Sequence, residues 1–128
     1  MKKTIKLLSL LQLTKEQPLT GYVIAGIKLH ELPSLAEHHY TAALAGYVLC
    51  EKILKAGGII DKQKILLMLL FHDLSELFGG DISGPLNRKY PDLRKFKNLI
   101  GERAIELLSE YLDIETRDHF ISLFSEMD

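Results

Sequence analysis

Apolar residues recur at helical spacing along most of the chain. Ile5, Leu8 and Leu11 share one face of a first predicted helix, which extends from Lys3 to Leu13. Residues 14–34 contain prolines and glycines that break regular structure, so this stretch is predicted to be a loop. The chain therefore begins with one amphipathic helix and an irregular connection.

A second helix has a clear start signal. Ser34 and Glu37 have the spacing of a capping box, in which each side chain satisfies a backbone N–H of the other residue. The alanine-rich sequence that follows predicts a helix to about Ala56, and the glycines at 57 and 58 end it. Small apolar residues in register with His38 predict close packing on a neighbouring helix through Ala42, Ala45 and Leu49.

The third predicted helix contains the most apolar segment of the chain. Asp61 is expected to cap its start, and the helix is expected to reach about Phe78. The run Ile65–Phe71 is apolar on every side, which is typical of a helix that is buried all round. We therefore expect this helix to lie at the centre of the fold.

The remaining sequence predicts a loop over residues 81–90 and two more helices. The first of these extends from Pro91 to Tyr111, because proline suits the first turn of a helix. The second extends from Ile114 to Glu126, with Asp113 as its cap. No segment requires a β-strand, so the predicted fold is all-α, a single-domain bundle of about five helices over residues 1–128.

Composition excludes several classes of protein. Hydrophobic residues make up 47% of the 128 residues and charged residues 26%, as in globular domains. The single cysteine, Cys50, excludes an internal disulfide framework and fits a cytoplasmic location. The apolar run Ile65–Phe71 is far shorter than the roughly 20 residues that span a bilayer, so no membrane association is expected. The net charge is −1 and residues 65–128 are acidic, which argues against binding of a nucleic-acid polymer.

Three polar residues follow the apolar run of the third helix. His72 and Asp73 are adjacent, and Glu76 lies one helical turn further on, so all three share one edge of the helix. They can form a ligand pair for a metal ion with an acid–base carboxylate beside it, because buried groups of this kind need a partner. The alternative is a hydrogen-bonded core histidine with two solvated carboxylates. His38 has the same two interpretations, whereas His39 is expected to face elsewhere.

Taken together, several short motifs resemble the HD-domain superfamily of metal-dependent phosphohydrolases, whose pattern is H…HD…D. The similarity is to the branch of bacterial 5′-deoxyribonucleotidases and their archaeal and eukaryotic relatives. The match extends over roughly residues 5–127, and the segments that carry it are Thr20–Tyr22, Ser34–His38, His72–Glu76, Gly80–Asp81 and Arg88–Tyr90.

The resemblance implies a role for each matching residue. His38, His72 and Asp73 are predicted metal ligands, and the metal is a divalent ion of Mn, Co, Zn, Fe or Ni. Glu76 and Asp81 are predicted to be the acid–base carboxylates. The predicted substrate-binding residues are Tyr22, Arg88 and Lys89. The implied protein is a phosphomonoesterase for a small phosphorylated substrate, such as a nucleoside 5′-monophosphate, and a homodimer.

The sequence departs from the family pattern in three places, one of which is the loop from Tyr22 to Ser34, a few residues longer than in relatives. Relatives complete the metal site with an aspartate on a later helix, which is expected to lie beyond Asp128, so the chain is predicted to be a shortened HD-type domain without the family's C-terminal helix. The alternative substitutes within the chain are Asp113, Asp118, His119 and Asp128. Relatives also carry an arginine near the position of Tyr22, and none occurs here. These departures leave a second hypothesis, a non-catalytic HD-type module that binds a ligand or a partner subunit.

Overall fold

Residues 1–127, which a computed structural model describes, fold into seven α-helices. The helices are α1 (Lys2–Leu11), α2 (Leu35–Lys55), α3 (Lys62–Phe71), α4 (Glu76–Gly79), α5 (Gly84–Lys89), α6 (Pro91–Ser109) and α7 (Ile114–Met127). Three short 3₁₀ turns lie between α1 and α2, at Gln12–Lys15, Thr20–Ala25 and Leu29–Glu31. Residues 1–127 form no β-strand, which confirms the all-α prediction. Within the same residues, no helix has the length and apolarity needed to cross a membrane.

The predicted helix starts are confirmed by their side-chain caps. Ser34 Oγ accepts a hydrogen bond from Glu37 N at 3.2 Å, and Glu37 Oε2 accepts one from Ser34 N at 2.6 Å. Asp61 accepts from Lys64 N at 2.9 Å at the start of α3. These bonds satisfy backbone N–H groups that the first turn of a helix leaves without partners.

The long connection between α1 and α2 is fastened to the start of α2. Leu19 N donates to Pro33 O at 3.1 Å, and Leu35 N donates to Gln17 O at 2.9 Å. Leu19 and Leu35 are themselves buried in the core. The 3₁₀ turn that follows Leu19 is therefore held at a fixed position beside α2.

The core is a cluster of leucine and isoleucine side chains. Its buried members are Leu19, Leu35, Leu74, Leu77, Ile105 and Leu108. Helices α1 and α7 cover it with partly buried side chains, which include Leu7, Leu10, Phe120 and Phe124. Leu7, Leu10 and Phe124 thus pack against the core, where they are not free to form an interface with another chain.

The third helix differs from its prediction in length and in burial. It ends at Phe71 rather than near Phe78, and the next residues form tight turns in which Leu74 N bonds to Phe71 O at 2.8 Å. None of its residues is fully buried, and Leu70 is exposed, so the predicted central helix is wrong. The buried centre instead includes Leu74 and Leu77, which follow α3. The loop predicted over residues 81–90 is also wrong in part, because Gly84–Lys89 is helical.

Helix α2 packs on α3 through a different face from the one predicted. The buried residues after the first turn are His39, Gly46 and Cys50, whereas Ala45 and Leu49 of the predicted stripe are exposed. Gly46 lies at the centre of this contact, where a Cβ on it would overlap Cδ1 of Leu69 in α3. The contact surface is therefore rotated by one residue along α2, toward the position with no side chain.

Candidate metal-binding site

The structure brings the three predicted metal ligands together. His38 Nε2 of α2 lies 2.9 Å from His72 Nε2 and 3.3 Å from Asp73 Oδ2, and the last two atoms are 3.1 Å apart. Ligands about 2.1 Å from one ion, at bond angles of about 90–110°, lie about 3.0–3.4 Å from each other. The triangle therefore has the dimensions of three ligands on a common ion. Two imidazole nitrogens and a carboxylate oxygen suit divalent transition metals.

Backbone contacts orient the ring of His72. Its Nδ1 lies 2.8 Å from the carbonyl oxygen of Leu69. A carbonyl oxygen only accepts hydrogen bonds, so Nδ1 carries the proton and the Nε2 lone pair of the neutral ring faces His38 and Asp73. The hydrogen bond to Asp73 raises the pKa of His72 in the metal-free chain. Protons therefore compete with a metal ion for Nε2, and acid weakens metal binding.

His39 lies behind the triangle, contrary to the prediction that it faces elsewhere. It is 6% exposed, and its ring centroid is 5.0 Å from that of His72. Burial, with the nearby His72 adding, lowers the pKa of His39 to about 4. His39 is therefore a neutral ring that supports His72 from the α2–α3 interface.

Two further carboxylates lie beside the triangle and share one lysine. Lys97 Nζ of α6 is 3.3 Å from Glu76 Oε1 and 3.0 Å from Asp81 Oδ1. Burial raises the pKa of Glu76 to about 7; the charges of Asp73 and Asp81 act in the same direction, and Lys97 opposes them. Glu76 can therefore take up and release a proton near neutral pH.

Glu76 is placed by the turn that follows α3. Glu76 N donates to Asp73 O at 2.9 Å, a bond between residues three apart. Side chains three apart in such 3₁₀-like geometry lie almost directly in line. Asp73 and Glu76 therefore lie on one edge, as predicted. The turn aligns them, however, and not the continuous α-helix that the sequence predicted.

Lys97 was missed by the sequence analysis, although a signal for it exists. It falls on the inward face of α6, in line with the partly buried Leu93 and the buried Ala104 and Leu108. A lysine at such a position in an amphipathic helix needs an acidic partner, because burial of an unpaired charge is unfavourable. The two carboxylates supply that partner.

An open cleft of about 360 Å³ passes over these groups. It is lined by Leu19, Gly21, Tyr22, His38, Asp73, Glu76, Asp81, Gly84 and Lys97. Tyr22 is 44% exposed at the cleft. Gly21 is required beside it, because a Cβ at this position would overlap Oδ2 of Asp81.

The two basic residues predicted to bind substrate lie in α5, outside the cleft lining. Lys89 Nζ is 5.4 Å from the centre of the Tyr90 ring, and Arg88 passes beside Gly84. The structure does not bring Lys89 to the metal ligands, and the roles of both residues stay predictions.

The substitutes considered for a fourth metal ligand do not join the triangle within residues 1–127. Asp113 accepts from Thr116 N at 2.9 Å and caps α7. His119 lines a separate apolar cavity, and Asp118 is exposed. Asp128 lies outside the described residues.

Comparison with known proteins agrees with this geometry. Residues 25–128 match the model of a family described as 5′-deoxynucleotidase YfbR-like. The chain is 34% identical over 114 residues to 5′-deoxynucleotidase HDDC2 of Dictyostelium discoideum, an alignment that covers 77% of the chain and 58% of that relative. It is 31% identical over 88 residues to a 5′-deoxynucleotidase of Vibrio cholerae, with coverage of 68% and 45%.

A third relative extends the similarity toward the amino terminus. The chain is 28% identical over 120 residues to 5′-deoxynucleotidase YfbR of Shigella boydii, with coverage of 93% of the chain and 57% of the relative. The chain thus spans about half the length of the curated relatives it matches. The family match covers most of the chain and includes all three residues of the triangle, and so the chain belongs to the YfbR-like 5′-deoxynucleotidase family.

Proposed function

We propose that this chain carries the active site of a metal-dependent phosphomonoesterase that hydrolyses nucleoside 5′-monophosphates. The observation that carries the proposal is the triangle of His38, His72 and Asp73, with Glu76 and Asp81 on the same cleft. Relatives that are named 5′-deoxynucleotidases support deoxynucleotides as the substrate class. A divalent ion held by the triangle would neutralise phosphate charge and lower the pKa of a bound water.

The two carboxylates divide the proton transfers of hydrolysis. Water attacks phosphorus, a new P–O bond forms, and the bond from phosphorus to the 5′ oxygen breaks. Glu76 accepts the proton that water loses, which its pKa of about 7 permits near neutral pH. Asp81 gives a proton to the leaving 5′ oxygen, and the proton that Glu76 gains from water balances it. The nearness of Asp81 to Glu76 is supported by their shared contact with Lys97.

The nucleoside is assigned to the side of the cleft that holds Tyr22. Its half-exposed ring offers a flat apolar surface for a base, and the fastened connection before α2 keeps it in place. Gly21 allows this turn to approach Asp81 closely. This arrangement supports a substrate that carries both a phosphate and an aromatic base.

We also propose that the protein is a cytoplasmic homodimer. The single cysteine, Cys50, is a buried free thiol, which suits a reducing compartment. Helix α2 presents seven exposed apolar side chains outside its buried positions, and a second copy would cover such an apolar surface. The exposed residues are Tyr40, Leu44, Tyr47, Val48, Leu49, Ile53 and Leu54.

Phosphate release tests the proposed activity. The purified chain is treated with EDTA, reloaded separately with Mn²⁺, Co²⁺, Zn²⁺, Fe²⁺ or Ni²⁺, and given deoxynucleoside 5′-monophosphates. We expect release of inorganic phosphate that requires metal and that is lost in His72→Ala. Metal binding without hydrolysis of any of these nucleotides would reject the enzyme and favour the ligand-binding module.

A further inference from the structure

The cleft wall contains far more negative than positive charge. Asp73, Glu76 and Asp81 all line it, and among the described residues that do so Lys97 is the one lysine or arginine. A phosphate monoester carries about two negative charges near neutral pH. The carboxylates repel such a group. Apart from the metal ion proposed at the triangle, Lys97 is the cation of this wall that can offset the repulsion.

Lys97 is held in place and still has a donor to offer. Its ammonium group has three N–H donors, and the carboxylates of Glu76 and Asp81 take two of them at 3.3 and 3.0 Å. Contacts with two carboxylates fix the position of Nζ and reduce the entropy that a long side chain loses on binding. The side chain is 35% exposed, so the third donor can reach a ligand in the cleft.

The two basic residues that the sequence predicted to bind substrate are not in the lining of this wall, although Arg88 lies beside Gly84, which is. Arg88 and Lys89 lie on α5, and Lys89 is directed over the Tyr90 ring. Lys97 reaches the cleft from α6, a nineteen-residue helix anchored in the core by Ala104 and Leu108. A rigid helix places a phosphate-binding group more reproducibly than an exposed side chain of a short helix does.

We propose that Lys97 is a substrate-binding residue whose ammonium group contacts the phosphate of the phosphate-monoester substrate. The inference rests on the proposed function, because it takes the cleft over the His38–His72–Asp73 triangle as the substrate site. It assigns to Lys97 the role that the sequence suggested for Arg88 and Lys89.

Both products of the reaction serve as probes, since neither is hydrolysed. Binding of inorganic phosphate and of deoxyadenosine to the Co²⁺-loaded chain is measured by calorimetry. We expect Lys97→Gln and Lys97→Met to weaken phosphate binding about 10- to 100-fold, the loss typical of a charged hydrogen bond. Lys97→Arg should weaken phosphate binding less than either neutral replacement, because it keeps the positive charge although its fork differs in shape from an ammonium group. Deoxyadenosine binding should not change in any variant.

The matched control is Lys95→Gln, which removes the same charge from an exposed position of α6. It should bind phosphate as the wild-type chain does. Far-UV circular dichroism and thermal melting identify the variants that fold. If either Lys97→Gln or Lys97→Met fails to fold, the other neutral replacement still tests the role of Lys97.

The outcomes separate this inference from the proposed function. Unchanged phosphate binding in a folded Lys97→Gln or Lys97→Met overturns the role of Lys97, even where the wild-type chain hydrolyses nucleotides. Absence of phosphate binding by the wild-type chain overturns it as well. Phosphate binding that depends on Lys97, in a chain that hydrolyses no nucleotide, supports Lys97 and rejects the hydrolase.

Discussion

Replacement of Gly46 by valine tests whether helix packing sets the metal site. A Cβ on Gly46 would overlap Cδ1 of Leu69 and would lie 3.6 Å from its Cγ and 3.9 Å from Cδ2 of Leu66. Alanine adds only this Cβ, which a rotation of Leu69 can accommodate. Valine adds two more methyl groups between α2 and α3, so we expect the two helices to move apart.

The expected loss of stability follows from two opposing effects. Overpacking of a close helix contact costs about 1–3 kcal/mol. Removal of glycine from a helix interior recovers roughly 0.5 kcal/mol with valine and about 1 kcal/mol with alanine. Gly46→Val should therefore lower the free energy of unfolding by about 1–2 kcal/mol. Gly46→Ala, the matched control, should stay within about 1 kcal/mol of the wild-type chain.

The same movement should reach the site through one hydrogen bond. The carbonyl oxygen of Leu69 accepts from His72 Nδ1 at 2.8 Å, and this bond orients the His72 ring. Loss of such support typically weakens metal binding about 10- to 100-fold. Urea denaturation measures stability, and titration of the EDTA-treated protein with Co²⁺ measures affinity. If Gly46→Val matches Gly46→Ala in both measurements, the α2–α3 contact does not control His72.

Four further substitutions address the site and the assembly. Glu76→Gln should lower phosphate release about 10²- to 10⁴-fold and leave Co²⁺ affinity nearly unchanged, whereas loss of Co²⁺ would identify Glu76 as a ligand. Tyr22→Ala should raise KM for deoxynucleotides about 10-fold or more, by loss of base stacking, and should not alter KM for methyl phosphate. Gly21→Ala should displace Asp81 and lower kcat by up to about 10²-fold, and a kcat equal to that of the wild-type chain would contradict the close approach. Leu44→Arg should convert the dimer to monomers in sedimentation experiments and keep the far-UV circular dichroism of the folded chain; a wild-type chain that sediments as a monomer would reject the dimer.

Features that depend on neighbouring residues could be predicted from the sequence. The caps at Ser34 and Asp61 join groups three residues apart, so the local amino-acid sequence is enough to predict where α2 and α3 begin. His72 and Asp73 are adjacent, and their contact needs little help from the rest of the fold. The motif that contains His38 pointed to the third member of the triangle, which the structure places 2.9 Å from His72.

Features that depend on which helix faces meet were decided by the tertiary structure. The apolar run Ile65–Phe71 predicted a central helix, but α3 ends at Phe71 and none of its residues is buried. The core instead includes Leu74 and Leu77, which follow α3 in the chain. The α2–α3 contact is centred on Gly46, and this register buries His39 behind His72, which counting along α2 did not reveal. Lys97 reaches Glu76 and Asp81 only because α6 packs against α4 and carries this one lysine inward. Local hydrogen bonds are encoded within a few residues, whereas the choice among apolar faces depends on how all the helices pack at once.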